Sequence, residues 1–390
     1  MQRGRFGHRP RNDPRFFGGD YPFIQTGNVV EASKSNGKIN YTQTLNELGL
    51  LTSRLFQPDA LVITIAANIG DTAILDYPAC FPDSLVSLIP KTDTLNIYYL
   101  NYYFRFIKPY IENLAPQAAQ KNINLQQLSP IPVVVPPLQA QLTIVDLLNT
   151  AYILKQQKEA QAKALLQGID TYILETLGIT IPQKQNGIEH RMFTANFSDV
   201  MGLRFDPIFF NSTQKSHSDI YDNKALKSIC KILKGQSITK EKITEGDYPV
   251  IAGGQSSPYT HGSYNYEDNV ITISASGAYS GYVWYHNYPI FASDCIVLQS
   301  KNEADVNTQF IYYVLKALQQ EIYKLQQGAG QPHVYARDIE KFTIPIPSIP
   351  KQIEMLKHID DLHHQINTLK ADAIAVLENA KAEVEKIIIG

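Results

Sequence analysis

The hydrophobic and polar positions follow two regimes, and each regime occurs twice. Short β-branched runs come first. Residues 60–65 read Ala-Leu-Val-Ile-Thr-Ile and 84–89 form a second run; residues 269–274 read Asn-Val-Ile-Thr-Ile-Ser, with 295–298 after them. Gly and Asn cluster between the runs, as turns between strands require. A proline-rich break then follows, at 130–137 and again at 345–350. Proline has no amide proton and clashes with the preceding turn, so neither break is helical inside. Each break launches a long helical pattern. In residues 351–389, Ile359, Ile366, Ala373, Ala380 and Ile387 recur every seven, and Leu362, Leu369 and Val376 follow the first three by three. That is an a/d seam, which needs a partner helix. Residues 139–178 carry the same register in Leu148, Ala151, Ala162, Leu165, Ile169 and Tyr172, with Lys155 and Lys158 on the seam. Lysine can snorkel from such a site, but it weakens the seam there. About 38 residues at ~1.5 Å each make rods of roughly 55 Å. Each seam is the other's nearest match. The expected arrangement is therefore an antiparallel pair with one globular domain at each end; the alternative packs each helix on its own domain.

The chain repeats itself. Pro78, Asp83 and Val86 match Pro289, Asp294 and Val297, each pair 211 apart. The offset persists for Asn96 and Asn307, Gln120 and Gln331, Leu128 and Ile339, Val133 and Ile344, Pro136 and Pro347, and Gln141 and Gln352. Upstream, Gly19-Asp20-Tyr21-Pro22 matches Gly246-Asp247-Tyr248-Pro249 at 227, so the first copy carries about 16 extra residues between the two marks. The period is too long for a solenoid and indicates two copies of one domain-plus-helix unit. The expected fold class is α+β: two β-rich domains separated by a pair of long antiparallel coiled-coil helices, with pseudo-two-fold internal repetition.

Composition narrows the function by exclusion. The formal net charge is -2, so bulk attraction does not hold nucleic acid, and any such binding needs local patches. No apolar run reaches the length of a membrane span. Cys80, Cys230 and Cys295 stand far apart and form no metal-ligand spacing, which fits a reducing cytoplasm. No Walker loop, G-x-S-x-G, H-E-x-x-H or C-x-x-C motif is present. Asp206 with Asp222-Asn223-Lys224 is the nearest approach to a magnesium nuclease, and the other repeat has no counterpart. The reading is a binding scaffold with no catalytic residues and no metal.

Candidate nucleic-acid contacts lie in three places. Arg5, Arg9, Arg11 and Arg15 form a cationic N-terminal arm, suited to phosphate or to the guanine edge; the alternative is a solubilising terminus. Residues 224–242 are lysine-rich around Leu226, Ile229, Ile232 and Leu233, whose spacing is helical. The lysines can contact the backbone of a nucleic acid or form only a solvated helix face, and Lys234, Gln236, Ser237 and Lys240, on a polar loop leaving the helix, are the better placed candidates. Two loops recur in both copies: Gln25, Thr26 and Asn28 with Gly254 and Gln255, and Gln120, Lys121 and Asn122 with Gln331 and His333. Gln and Asn can read adenine bidentately, at about 1–3 kcal/mol each; the alternative is plain turn chemistry.

The segments Gly19-Asp-Tyr-Pro-Phe-Ile-Gln-Thr-Gly27, Gly246-Asp-Tyr-Pro-Val-Ile251, Ile131-Pro-Val-Val-Val-Pro-Pro-Leu-Gln-Ala-Gln141 and Ile344-Pro-Ile-Pro-Ser-Ile-Pro-Lys-Gln352 resemble the specificity subunit of type I restriction–modification systems. The resemblance spans the whole chain. It implies a first target recognition domain over 1–138, a spacer helix over 139–180, a second recognition domain over 181–349 and a second helix over 350–390. It implies that each domain reads one half of a split double-stranded DNA target and that the helices act as a ruler. Two methyltransferase subunits would dock and methylate adenine N6, and restriction/translocase subunits would join them. S-adenosylmethionine, ATP and Mg2+ would sit on those partners, with no cofactor in this cytoplasmic, non-catalytic chain. One departure stands out: the equivalent of residues 197–232 is absent before Gly19, so the first domain is expected to be less complete. A specificity module without a restriction translocase, and a helical scaffold whose end domains bind protein, are the competing readings.

Overall fold

The computed structural model describes residues 1–35, 37–91, 93–115, 122–181, 194, 196–197, 218–328 and 330–389. Compactness divides the chain into Met1–Gln161 with Thr368–Gly390, and Ala162–Asn367, so both long helices contribute to both units. The first unit contains β1 (Gln2–Arg3), β2 (Phe17–Phe23), α1 (Thr26–Ser33), β3 (Gln43–Leu45), α2 (Glu47–Thr52), β4 (Leu55–Phe56), β5 (Ala60–Thr64), β6 (Thr72–Leu75), β7 (Ala79–Cys80) and β8 (Leu85–Leu88). Helices α3 (Ile97–Phe106), α4 (Lys108–Asn113), α5 (Leu125–Leu128) and the long α6 (Leu138–Thr176) follow. The second unit continues with β9 (Asn223–Ala225), α7 (Leu226–Ile229), β10 (Cys230–Lys234), β11 (Tyr248–Ile251), β12 (Thr260–His261), β13 (Val270–Ser274), β14 (Val283–His286), β15 (Phe291–Ala292) and β16 (Cys295–Ser300). It closes with α8 (Thr308–Ala317), α9 (Gln319–Tyr323), α10 (Ala336–Lys341), β17 (Thr343–Pro345) and the long α11 (Ile349–Ile389).

Strand pairing repeats with the sequence. One sheet runs β1-β8-β5-β6 and its counterpart β10-β16-β13-β14. Their central strands, β5 and β13, are buried along their whole length, which their unbroken β-branched runs dictate. A second sheet joins β2 to β7 in parallel, as β11 joins β15, with Phe23 opposite Cys80 and Val250 opposite Phe291. The tetrapeptide glycine is explained there. A Cβ on Gly19 would lie 2.4 Å from Asn46 Cα, and one on Gly246 would lie 2.4 Å from Gly262 Cα, so only glycine fits. The extra residues of the first copy resolve into two insertions. The pairs Tyr21–Leu45 and Tyr248–His261 lower the offset from 227 to 216 across α1. Phe56–Ala79 and the bridge Tyr266–Ile290 lower it to 210 across α2, and one residue is regained before Ala79, which stands 211 from Ile290.

The repeated Asn and Gln form a buried lock at the start of each long helix. Asn96 caps α3, its Oδ1 accepting from Tyr98 N at 2.9 Å and Tyr99 N at 3.1 Å. Its own N–H donates to Gln141 Oε1 at 2.8 Å, while Gln141 Nε2 donates to Thr94 O and Pro136 O, each at 2.8 Å. In the second unit Asn307 N–H donates to Gln352 Oε1 at 2.9 Å, and Gln352 Nε2 donates to Pro347 O at 2.9 Å and Asp305 O at 3.2 Å. Both glutamines are fully buried. The proline break is thus pinned to the domain by the helix it launches.

In the first unit, Ile144, Leu148, Ala151 and Tyr152 of α6 pack with Ala380 and Val384 of α11 and with Tyr99 and Tyr102 of α3. Lys158 Nζ reaches Asp372 at 2.9 Å. In the second unit Tyr172 of α6 meets His358 of α11, ring centroids 4.4 Å apart. These pairings run antiparallel. Leu148, Ala151, Ala162, Ile169, Ile359, Ile366, Ala373 and Ala380 are buried, and Leu165, Leu362, Leu369 and Val376 are half-buried. Lys155 and Lys158 are half-buried too, Lys155 turning to Glu159 at 3.2 Å.

One expectation needs correction. The helix read from Leu226, Ile229, Ile232 and Leu233 is a single turn, α7, and then a strand. Cys230 to Lys234 pair residue by residue with β16, so the long-range ladder overrides the local spacing. Gln2 opposes Ser87 and Arg3 opposes Val86, as Ile232 opposes Leu298 and Leu233 opposes Val297. Gln2–Arg3 therefore takes the place of Ile232–Leu233.

Candidate nucleic-acid interface

In the first unit the candidates gather around the turn at Pro82–Ser84. Arg5 N–H donates to Phe81 O at 3.0 Å, while its exposed side chain makes no hydrogen bond to another described residue. Gly4, just before it, has no room for a side chain, since a Cβ would lie 2.2 Å from Pro82 O. Arg3 Nε donates to Asp83 O at 2.6 Å. Arg11 pairs with the Asp83 carboxylate, and Arg9 lies 3.9 Å from it while donating to Phe6 O and His8 O. Thr26 Oγ1 lies 3.0 Å from Ser84 Oγ. Beside this turn Ile65 N–H donates to Ser84 O, and Ala66 bridges to Asn122, whose side chain is exposed. Arg5, Arg9, Arg11, Thr26 and Asn122 thus share one patch.

The arginine arm is a folded structure here. Arg15 Nη2 reaches Asp13 at 2.7 Å, and His8 Nε2 lies 3.0 Å from the same carboxylate while stacking on Phe16 at 4.1 Å. The Arg15 hydrogen bonds hold the Asp13 carboxyl well below the usual carboxylate range. Asn28 serves α1, its Oδ1 accepting from Gln25 N at 2.8 Å. Gln25 Nε2 donates to Gln43 Oε1 at 2.7 Å. Gln120, Lys121 and Asp206 lie outside the described residues.

The second unit builds the corresponding patch from different side chains. Gly235 occupies the place of Gly4, for a Cβ there would lie 2.0 Å from Ser293 O. Gln236 N–H donates to Ala292 O at 2.8 Å, as Arg5 does to Phe81 O. Lys234, Gln236 and Ser237 are exposed beside Ser293 and Asp294, and Ile238 N–H donates to Ser293 Oγ at 3.3 Å. Asp294 accepts from the Ser276 hydroxyl. Two further loops meet Ser276. A Cβ on Gly253 would lie 2.5 Å from Ser276 O, which places Gly254 and Gln255 alongside. Ser276 also bridges to His333, and Gly277 N–H donates to Pro332 O at 3.0 Å, with Gln331 exposed next to it. Gln255 hydrogen-bonds Tyr323, whose hydroxyl burial pushes above its ordinary pKa.

Cationic and aromatic groups border this patch. Lys240 Nζ sits 5.9 Å from the Tyr259 ring centre, and Arg337 lies 5.0 Å from that of Tyr335, on which His333 stacks. Tyr259, Tyr335 and Arg337 were not singled out from the sequence, since an exposed ring on a loop carries no periodic signal. Asp83 and Asp294 stood out only as repeat marks; the structure puts both at the centre of their patches. Such a surface can hold phosphate with its cations and present Gln, Asn and Tyr to base edges or faces. Cys80, Cys230 and Cys295 are buried, and burial pushes the thiols of Cys230 and Cys295 up to about 12. Among the described residues no His, Cys, Asp or Glu cluster could hold a metal ion, and no helix is long and apolar enough to cross a membrane.

The profile of the type I restriction modification DNA specificity domain matches residues 6–167 and again 219–379. A putative type I specificity subunit of Mycoplasma pneumoniae is 28% identical over 156 residues, 38% of this chain and 42% of that protein. The MjaVIII type I restriction enzyme specificity subunit of Methanocaldococcus jannaschii is 25% identical over 166 residues, 40% and 39% of the two chains. The chain thus spans about two fifths of the length of these curated relatives. A chain from a structure of complex assembly and conformational transition in the type I R-M system shares the fold, with a TM-score of 0.61 at 13% identity over 100% of this chain and 94% of that one. Two profile matches that together span most of the sequence place this chain in the type I restriction–modification DNA specificity family.

Proposed function

We propose that the chain selects the DNA site for a type I restriction–modification complex, each β-rich domain reading one half of a split target. The observation that carries this reading is the recurrence of one patch, at Gly4–Arg5 and at Gly235–Gln236, on the same backbone frame with different side chains. Shared geometry with unlike chemistry is what two readers of unlike half-sites need. In this reading α6 and α11 set the gap between the halves. They also help dock two methyltransferase subunits that methylate adenine N6, and restriction/translocase subunits join through these. S-adenosylmethionine, ATP and Mg2+ belong to those partners. The complex works on cytoplasmic DNA.

Exchange of one domain tests the reading. Residues 223–345 are replaced by the matching segment of a relative, and the complex is expressed with its methyltransferase partner. One half of the modified motif is expected to change while the other half and the gap stay. A change in both halves, or no change, overturns the proposal.

A further inference from the structure

Arg105 occupies a position in the first unit that the DNA patch does not explain. It sits near the end of α3 and reaches in two directions. Toward the β-rich domain, its Nη1 donates to Ser35 O at 2.7 Å, and its Nη2 to Ala32 O at 3.1 Å and Thr72 O at 3.4 Å. These carbonyls lie in the last turn of α1 (Ala32), two residues past its end (Ser35) and in β6 (Thr72). Toward the helix pair, the guanidinium carbon lies 5.6 Å from the Tyr102 ring centre and 5.4 Å from that of Tyr152 on α6. The two rings stack at 5.8 Å and 15°, and Tyr102 OH donates to Asn149 Oδ1 at 2.5 Å. One planar cation therefore ties α1, β6 and α3 to the long helix. The geometry suits arginine, whose rigid fork holds several carbonyls while its face lies on aromatic rings.

The second unit solves the same joint differently. At the 211 offset Lys316 replaces Arg105, reaching Val283 O at 3.4 Å and lying 4.1 Å from the Tyr282 ring centre. Tyr313 and His363 replace the tyrosine pair, 6.2 Å apart. A flexible lysine stem with one carbonyl contact fixes direction less firmly than a fork with three.

We infer that Arg105 is a positioning residue that fixes the direction in which α6 leaves the first domain, and so sets how strictly the gap of the target is kept. This rests on the split-target reading above. The residue touches none of the patch residues in the structure, so the bases read are left unchanged.

The test uses the chain assembled with its methyltransferase partner. Methylation rates are compared on duplexes carrying the natural target and on duplexes whose gap is one base pair shorter or longer. Arg105→Met is expected to lower the preference for the natural gap by roughly ten-fold, from loss of a desolvated cation–ring contact and its hydrogen bonds. Arg105→Lys should fall between Met and wild type, while mutation of either half-site still abolishes methylation in every variant. Tyr152→Leu removes the other side of the joint and should relax the gap as well, which covers the case of an Arg105 variant that folds poorly. A variant that slows all duplexes equally, or keeps the wild-type gap preference, overturns the inference. A wild-type complex that ignores the gap overturns the split-target reading instead.

Discussion

Replacing Gln141 with leucine tests the lock at the start of α6. The side chain is fully buried and makes three hydrogen bonds, all near 2.8 Å. Leucine fills the space but leaves the Asn96 N–H without an acceptor. That costs about 1–3 kcal/mol, and losing the donor to Thr94 O and Pro136 O costs about 0.5–1.5 kcal/mol each. A loss of about 3–4 kcal/mol is expected after the gain from the added apolar surface. For a unit of this size that lowers the melting temperature by about 6–16 °C. Gln141→Glu sharpens the test, because it keeps the acceptor for Asn96 and turns a carboxylate oxygen toward two carbonyls. The folded state then favours the protonated acid, and its pKa rises above the unfolded value of about 4.3. The glutamate variant should be relatively stable below that pH and lose stability as pH rises through the raised folded value. Urea unfolding of the purified chain, followed by circular dichroism at pH 5 and pH 8, measures both. A Gln141→Leu loss under about 0.5 kcal/mol, or a glutamate variant insensitive to pH, would refute the lock.

Other perturbations test other parts. Lys155→Leu with Lys158→Leu should raise the urea midpoint, since the Lys158–Asp372 pair is half-exposed and worth about 0–1 kcal/mol while leucine fills the seam; an unchanged or lower midpoint contradicts the packing. Asp83→Asn frees Arg9 and Arg11 from their carboxylate, and the salt dependence of DNA binding, measured by fluorescence anisotropy, should steepen by about one unit of slope; an unchanged slope removes those arginines from the interface. Burial holds His286 down to about 4, so the folded state favours the neutral ring. Stability should therefore be complete above about pH 6.5 and fall toward pH 4 by on the order of 3 kcal/mol, and His286→Gln should flatten that slope in acid unfolding.

Much of this architecture was legible in the chain because the repeat marks are residues whose backbone role leaves no alternative. Gly19 and Gly246 stand against another backbone, and Gln141 and Gln352 fill identical polar pockets, so the offset could be read without an alignment. The seam was legible because helix pairing is a periodic, local signal. Strand β10 was not, because five residues with helix-compatible spacing form a strand only when β16 lies beside them, and pairing across the sheet leaves no local trace. The two-residue β1 is too short to show any alternation. In the DNA patch, sequence located the loops but not their partners. Arg11 looked free in the sequence and is held by Asp83, which lies 72 residues away.

The most direct measurement is the position of N6-methyladenine across the genome of cells carrying this chain with its methyltransferase partner. One asymmetric motif is expected, in which two short specified blocks flank a gap of constant length and free sequence. A single uninterrupted motif, or two blocks whose separation varies from site to site, would contradict it.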